Sequence, residues 1–385
     1  MRVESPVRLA VPAPSGSKGF FQGSHRAATP EHTWERIRPL LAAAGITRVG
    51  ELTRLDTVGI PVAQAVRPGS RSAAVTLGAG LTLAVARVGA AMASLELWHA
   101  EHVQSAPYWS ALGAVRANLG YNVHGLPLRQ PSLLNDGMVL DWVAATLLPS
   151  GRPTLVPRAC AEYDLVVRDE WSPPVFRATR VGLAAGNTTA EAVLHGLFEV
   201  LAQDAVATAA ALPPEQRVTV DMGDVDSDDA RRLLDRLSAA GVRITVSDIT
   251  GGSGVPTFEV LAESGGLPPA RGAACHLDRA VALCRALSLA ARERLALLAG
   301  VRDDIPLMPP PAVHDYVPRA STALRAYAEI PSLSTASFAG DIAEISDRLH
   351  RCGAGPALVV DLARQGMGLP VARVLVPGLR QPSGG

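Results

Sequence analysis

Three stretches of the chain carry apolar residues at helical spacing for about six turns each. They run from Thr82 to about Val103, from about Thr188 to Ala211 and from about Asp278 to Ala299. Between them lie short apolar runs closed by Gly, Pro or a polar residue, as strands are: Thr47–Val49, Val58–Val66, Ala73–Leu77, Val218–Asp221, Arg243–Asp248, Ala357–Asp361 and Ala372–Val376. A striped helix and a one-faced strand each need a partner layer, so their alternation predicts an α/β fold. Shorter helices are expected after Thr29, a sound N-cap followed by Pro30 in the first turn, and over Ser227–Ala240 and Phe338–Arg351. Residues 1–19 read as an extended Pro/Gly-rich arm, and Gly251-Gly252-Ser253-Gly254 as a turn. No clean linker divides the chain, so residues 1–385 are expected to form a single domain, with sub-domains around residues 105–157 and 213–270.

Charge and composition exclude several classes. Across 385 residues, 36 basic side chains balance 36 acidic ones, which argues against a nucleic-acid protein, because such affinity rests on Lys and Arg neutralising phosphates. A hydrophobic share of 48% supplies ample core and argues against disorder. No apolar run reaches the eighteen or so residues that span a bilayer, and Glu4 with three prolines interrupts any secretory core, so no membrane association and a cytoplasmic location are expected. Lys18 is the only lysine. The cysteines, Cys160, Cys275, Cys284 and Cys352, have no paired spacing of a zinc or redox site and read as small buried filler. Neither a dinucleotide fingerprint, a P-loop, a nucleophile elbow nor a zinc helix occurs.

One pattern carries chemistry. Asn187, Glu191, His195 and Glu199 recur every four residues on the second long helix. Four residues advance a helix by about 6 Å and 400°, so these side chains share one face. The stripe reads either as a solvated face or as oxygen and nitrogen donors for Mg2+ and phosphates. His195 reads as a structural residue or a proton-transfer group.

The segment Gly186-Asn187-Thr188-Thr189-Ala190-Glu191 through His195-Gly196-Leu197-Phe198-Glu199 resembles the signature helix of the YcaO family, whose members use ATP to activate backbone amides in ribosomally made peptides. Further blocks are similar to that family in order: Lys18 through Gly23-Ser24-His25-Arg26-Ala27, Gly59-Ile60-Pro61-Val62 to Val66-Arg67-Pro68, Trp98-His99-Ala100-Glu101, Arg285-Ala286-Leu287, Arg302-Asp303-Asp304, and Pro370-Val371-Ala372-Arg373-Val374 to Val376-Pro377-Gly378-Leu379. The resemblance implies an α/β fold of helix-covered mixed sheets around a nucleotide cleft. It implies ATP and Mg2+ as cofactors, with Lys18, Arg26, Asn187 and Arg285 toward phosphate and Glu96, Glu191 and Glu199 toward the metal.

The departures from the family pattern are paired. Its first signature helix carries S-x-x-x-E-x-x-E-R, where this chain reads Gly89, Ala93, Glu96 and Leu97. Its second continues E-x-x-E-R, where this chain has Glu199, Ala202 and Gln203. In the third, Leu289 replaces a glutamate and Arg292 a glutamine, and the glycine loop reads Gly78-Ala79-Gly80 where G-K-G is common. Acids are thus missing at 93, 202 and 289, and cations at 79, 97 and 203, which removes metal ligands and phosphate partners together. The chain ends Arg380-Gln381-Pro382-Ser383-Gly384-Gly385 with one proline, unlike the P-x-P-x-P tail of azoline-forming members.

Two functions follow from the resemblance. One is an ATP-dependent enzyme activating a backbone amide for cyclodehydration, macrocyclic amidine or thioamide formation, within antibiotic-like peptide biosynthesis. The other is a catalytically degenerate subunit that binds the precursor peptide or stabilises an active partner. Both imply a ribosomal precursor peptide, a second YcaO or leader-peptide-binding protein, and a homodimer or heterodimer.

Overall fold

A computed structural model describes residues 18–167, 174–213, 216–301 and 323–381. Most of the expected N-terminal arm, the Arg302-Asp303-Asp304 block and the last four residues lie outside the described residues.

The three long helices form where their caps predict. Thr82 accepts from Val85 N ahead of Leu83–Glu101, and Thr188 accepts from Glu191 N ahead of Thr189–Ala210. Asp278 accepts from Ala280 N and Val281 N ahead of Arg279–Leu298. Each side-chain oxygen satisfies amides that the helix itself leaves unpaired. Each helix also follows a strand, respectively Val75–Ala79, Leu183–Ala185 and Ala270–Cys275. Ala and Leu crowd all faces of these helices, so they are buried between layers, whereas Asp228–Ala239 and Phe338–Arg351 keep a polar face outward.

Three sheets support the long helices. Arg48–Glu51, Val62–Val66 and Val75–Ala79 make an antiparallel three-stranded sheet under the first. A five-stranded sheet under the third runs in the order Ala270–Cys275, Thr257–Glu263, Arg243–Asp248, Val218–Asp221 and Leu324–Ala326, with only the last pairing parallel. The second helix lies on a six-stranded sheet whose path is Tyr108–Ala111, Val139–Leu147, Leu358–Asp361, Val371–Leu375 and Leu183–Ala185, with Arg152–Pro157 also pairing Val139–Leu147. Residues 105–157 thus supply three strands of that sheet. Among the described residues no helix is long and apolar enough to cross a membrane.

Glycines set the closest approaches of strand to helix. A Cβ on Gly78 would lie 2.2 Å from Ala90 N, and one on Gly272 would lie 2.2 Å from Ala286 O. Both strands press their backbone onto an alanine-lined helix, which only glycine permits.

Two features depart from the sequence reading. It assigns no strand to Thr257–Glu263 or Ala270–Cys275; the Ala- and Gly-rich second strand has poor intrinsic β preference and forms because the third helix covers it. Cys352 is exposed rather than buried, since it sits at the C-cap of Phe338–Arg351. Cys160, Cys275 and Cys284 are buried, as expected.

A buried ion pair fastens the end of the first long helix. Arg67 donates through both terminal nitrogens to Glu101 at 2.6 Å, and Ser70 and Ser72 donate to the same carboxylate at 2.9 and 2.5 Å. Burial pushes the Glu101 carboxyl up, but the hydrogen bonds from Arg67 and Ser72 outweigh it and hold the group below its ordinary value. A lowered carboxyl stabilises the fold above the ordinary carboxylate range and loses that contribution as pH falls through its folded value. Glu101→Gln is therefore expected to cost roughly 3–5 kcal/mol at pH 7 by stranding Arg67. Melts from pH 7 to pH 3 should show the deficit narrowing as wild-type Glu101 takes up its proton.

Candidate functional site

A cleft of about 250 Å3 opens between the first and third long helices, beside the start of the second. A short hairpin, Gly19–Phe21 paired with Ser24–Arg26, reaches into it. Its turn holds Gln22 at φ 48° and Gly23 at φ 77°. Gly23 is needed there for a second reason, because a Cβ would lie 3.0 Å from Leu81 Cδ1. The turn delivers Arg26 to the cleft wall.

Polar side chains from distant parts of the sequence meet here, among them Arg26, Glu96, Asn187, Glu191, His195 and Arg285. Glu191 is nearly inaccessible, at 4% exposure, and accepts from Ala27 N at 3.2 Å, Asn187 N at 3.2 Å, Asn187 Nδ2 at 3.3 Å and Arg26 Nη1 at 3.5 Å. Asn187 Oδ1 accepts from Thr33, which ties the N-terminal helix to the same corner. Arg285 Nη1 meets His195 Nε2, and Arg26 Nη1 lies 3.0 Å from His195 Nε2 and 3.2 Å from Nδ1. Glu96 accepts from Ala185 N at 2.8 Å.

Two sequence-predicted residues lie off the cleft lining. Lys18 forms an ion pair with Asp341 at 2.5 Å and donates to Thr335 O at 2.8 Å; the pair is almost fully buried. Glu199 stands behind Glu96 and accepts from Gln203 Nε2 at 3.1 Å. The replaced positions divide in the same way. Ala79, Gly89, Ala93, Leu289 and Arg292 line the cleft, whereas Leu97 and Ala202 are 3% exposed within apolar clusters.

The stripe reading does not reach a histidine pair behind the site. His25 and His276 lie 5.3 Å apart ring to ring, and His276 packs on Phe198 at 4.4 Å. His276 Nδ1 accepts from Asp278 N, the cap residue of the third helix. These positions are separated by about 250 residues, so spacing carries no signal of their meeting.

Electrostatics follow from burial. His195 is held well below the ordinary histidine value by burial, then by Arg26 and Arg285. Burial and Arg26 lower Arg285 to about 10. Burial raises Glu96 to about 7, with Glu199 adding to the shift against the Ala185 amide.

The carboxylates of the second long helix already have hydrogen-bond partners within the chain. Glu191 is already met by four donors and Glu199 by Gln203.

Glu96 and His195 give opposite pH slopes. A raised Glu96 favours its protonated form in the fold, so its contribution is present below the ordinary carboxylate range and is lost as pH rises to about 7. His195, being lowered, contributes above pH 6.5 and loses it as pH falls. Glu96→Gln keeps the acceptor for Ala185 and should gain stability relative to wild type from pH 4.5 to 7, with a constant margin above. His195→Gln should lessen the acid-side loss below pH 6.5. Thermal melts across pH 4.5–8 measure both.

The chain's relatives agree with this geometry at the level of family and fold. The model of the YcaO cyclodehydratase, ATP- and Mg2+-binding family matches residues 77–380. An uncharacterised protein of Mycobacterium tuberculosis is 37% identical, with 97% of this chain and 87% of that protein aligned. A heterocyclase solved with substrate and cofactor superposes with a TM-score of 0.79 at 20% identity, covering 96% of this chain and 55% of that one, so the chain spans about half its length. YcaO from Methanopyrus kandleri, bound with AMPPCP and Mg2+, superposes with a TM-score of 0.73 at 22% identity over 94% of each chain. The chain therefore belongs to the YcaO cyclodehydratase family.

Proposed function

We propose that this YcaO-family protein serves the maturation of ribosomally made peptides as a subunit without nucleotide turnover, binding the precursor peptide or stabilising an active partner. The observation that carries this reading is that the carboxylates of the second long helix are already met by the chain itself: Glu191 by Asn187, Ala27 and Arg26, and Glu199 by Gln203. Where the family pattern has a cation at 97 and an acid at 202, this chain has core residues. Loss of acids and cations together keeps the cleft near charge balance while removing what holds Mg–polyphosphate. A second YcaO protein or a leader-peptide-binding protein is the natural companion of such a subunit.

A second reading, the amide-activating enzyme, draws on the retained arginines Arg26 and Arg285 at one end of the cleft and on Glu96 beside Glu199. Calorimetric titration with Mg-ATP, with and without a candidate peptide, separates the two. The non-catalytic reading expects no micromolar binding and no peptide-stimulated hydrolysis. Peptide-stimulated hydrolysis would establish the enzyme reading instead, and micromolar binding would favour it.

Restored charges should behave according to burial. Ala93→Glu faces the cleft and is expected to fold. Leu97→Arg and Ala202→Glu place charges among apolar neighbours and should each cost at least ~2 kcal/mol without gaining nucleotide. A paired set of variants that binds Mg-ATP and keeps its melting temperature would contradict this.

A further inference from the structure

Val75–Ala79 is an outer strand of the three-stranded sheet, paired with Val62–Val66 on one side only. Its hydrogen-bond parity is fixed at both ends. Gly80 N donates to Pro61 O at 3.2 Å and Arg67 N to Ala74 O at 2.7 Å, in the register that pairs Gly78 with Ala63 and Thr76 with Ala65. Thr76 and Gly78 therefore turn their backbone groups toward the inner strand, whereas Val75, Leu77 and Ala79 direct theirs away from it. The far side of the inner strand agrees, since Leu52 N donates to Val62 O at 2.9 Å. Leu77 and Ala79 line the cleft. Among the described residues nothing donates to or accepts from their backbone groups, so two N–H donors and two C=O acceptors stand open along this edge. The edge of the six-stranded sheet at the cleft is different, because Ala185 N is met by Glu96. The opposite edge of the three-stranded sheet carries Arg48 and Glu51, charges of the kind that discourage strand pairing. Val75–Ala79 contains neither a charge nor a proline.

Resting on the peptide-binding reading above, we propose that the open edge of Val75–Ala79 takes an extended peptide as an added strand, its main chain bonded to Leu77 and Ala79. A peptide backbone supplies the alternating acceptors and donors that this edge lacks. It carries no net charge, so it leaves the ion pairs of the cleft intact. The edge lies in a recess between two helices, which a single extended segment enters more readily than the sheet of a second molecule. Alternation then sets the side-chain preference. Gly78 faces the first long helix, where a Cβ would lie 2.2 Å from Ala90 N. The peptide residue opposite Gly78 turns toward that same helix, along which Val85, Val88 and Met92 line the cleft, so an apolar residue suits it. Ala93, at a place where the family pattern carries a glutamate, extends this apolar wall.

The test is fluorescence anisotropy of a labelled hexapeptide, alternating valine and threonine and blocked at its C-terminus, titrated with the full chain. A series of the peptide carries one N-methyl group at each position in turn. A strand added to one edge bonds through alternate residues only. N-methylation at every second central position should therefore weaken binding about fivefold or more, with the intervening positions within about twofold. Ala79→Pro removes an N–H that the sheet itself does not use, and should abolish peptide binding with the circular dichroism spectrum and melting temperature retained. The N-methyl series decides the matter by itself where that variant does not fold. Absent peptide binding, uniform loss along the series, no loss at any position, or unchanged binding by Ala79→Pro overturns the proposal. A dimer of the unliganded chain that Ala79→Pro dissociates gives the edge to a second copy and overturns it as well. Absent peptide binding together with absent Mg-ATP binding removes this inference alone, whereas peptide-stimulated hydrolysis of Mg-ATP removes the non-catalytic reading.

Discussion

The contact between strand backbone and alanine-lined helix governs how this molecule is assembled. At Gly78 against Ala86 and Ala90, and again at Gly272 against Ala286 and Ala290, no side chain separates the layers. Two long helices are thereby held tightly to separate sheets, and the space between them is the cleft. A larger residue at either glycine would push a helix off its sheet and move the residues that face the cleft. Close packing of small residues thus sets the dimensions within which the polar chemistry operates.

Replacement of charges inside this frame follows two routes. At positions 97 and 202 the side chains are drawn into the core, where Leu and Ala fill space that no ion would occupy without a partner. At positions 79, 93 and 289 the replacements stay on the cleft surface and are apolar. The surviving charges lie mostly at the end that belongs to the second and third helices and the hairpin.

The long helices, their caps at Thr82, Thr188 and Asp278, and the shared face of Asn187, Glu191 and His195 were legible because each depends on residues near in sequence. The strands Thr257–Glu263 and Ala270–Cys275 were not, since an alanine- and glycine-rich segment becomes a strand only under the helix that covers it. Cys352 was misplaced because the cap that turns it outward is a matter of one residue along a helix. The destination of Lys18 was hidden for another reason. Its partner, Asp341, is 323 residues away on a helix whose pattern announces only amphipathicity.

That distant pairing gives the hairpin a particular dependence. Its strands have three residues each, and such a ribbon is barely stable by itself in water. The Lys18–Asp341 pair clamps its first strand to Phe338–Arg351, and Arg26 ends its second. The cation at the cleft is therefore anchored by a helix that contributes no residue to the cleft lining. Weakening Asp341 would lower the cost of local opening at the hairpin without equivalent loss in the sheets, and hydrogen exchange would register it first at Gly19–Arg26. Order at the site is thus set partly from outside the cleft.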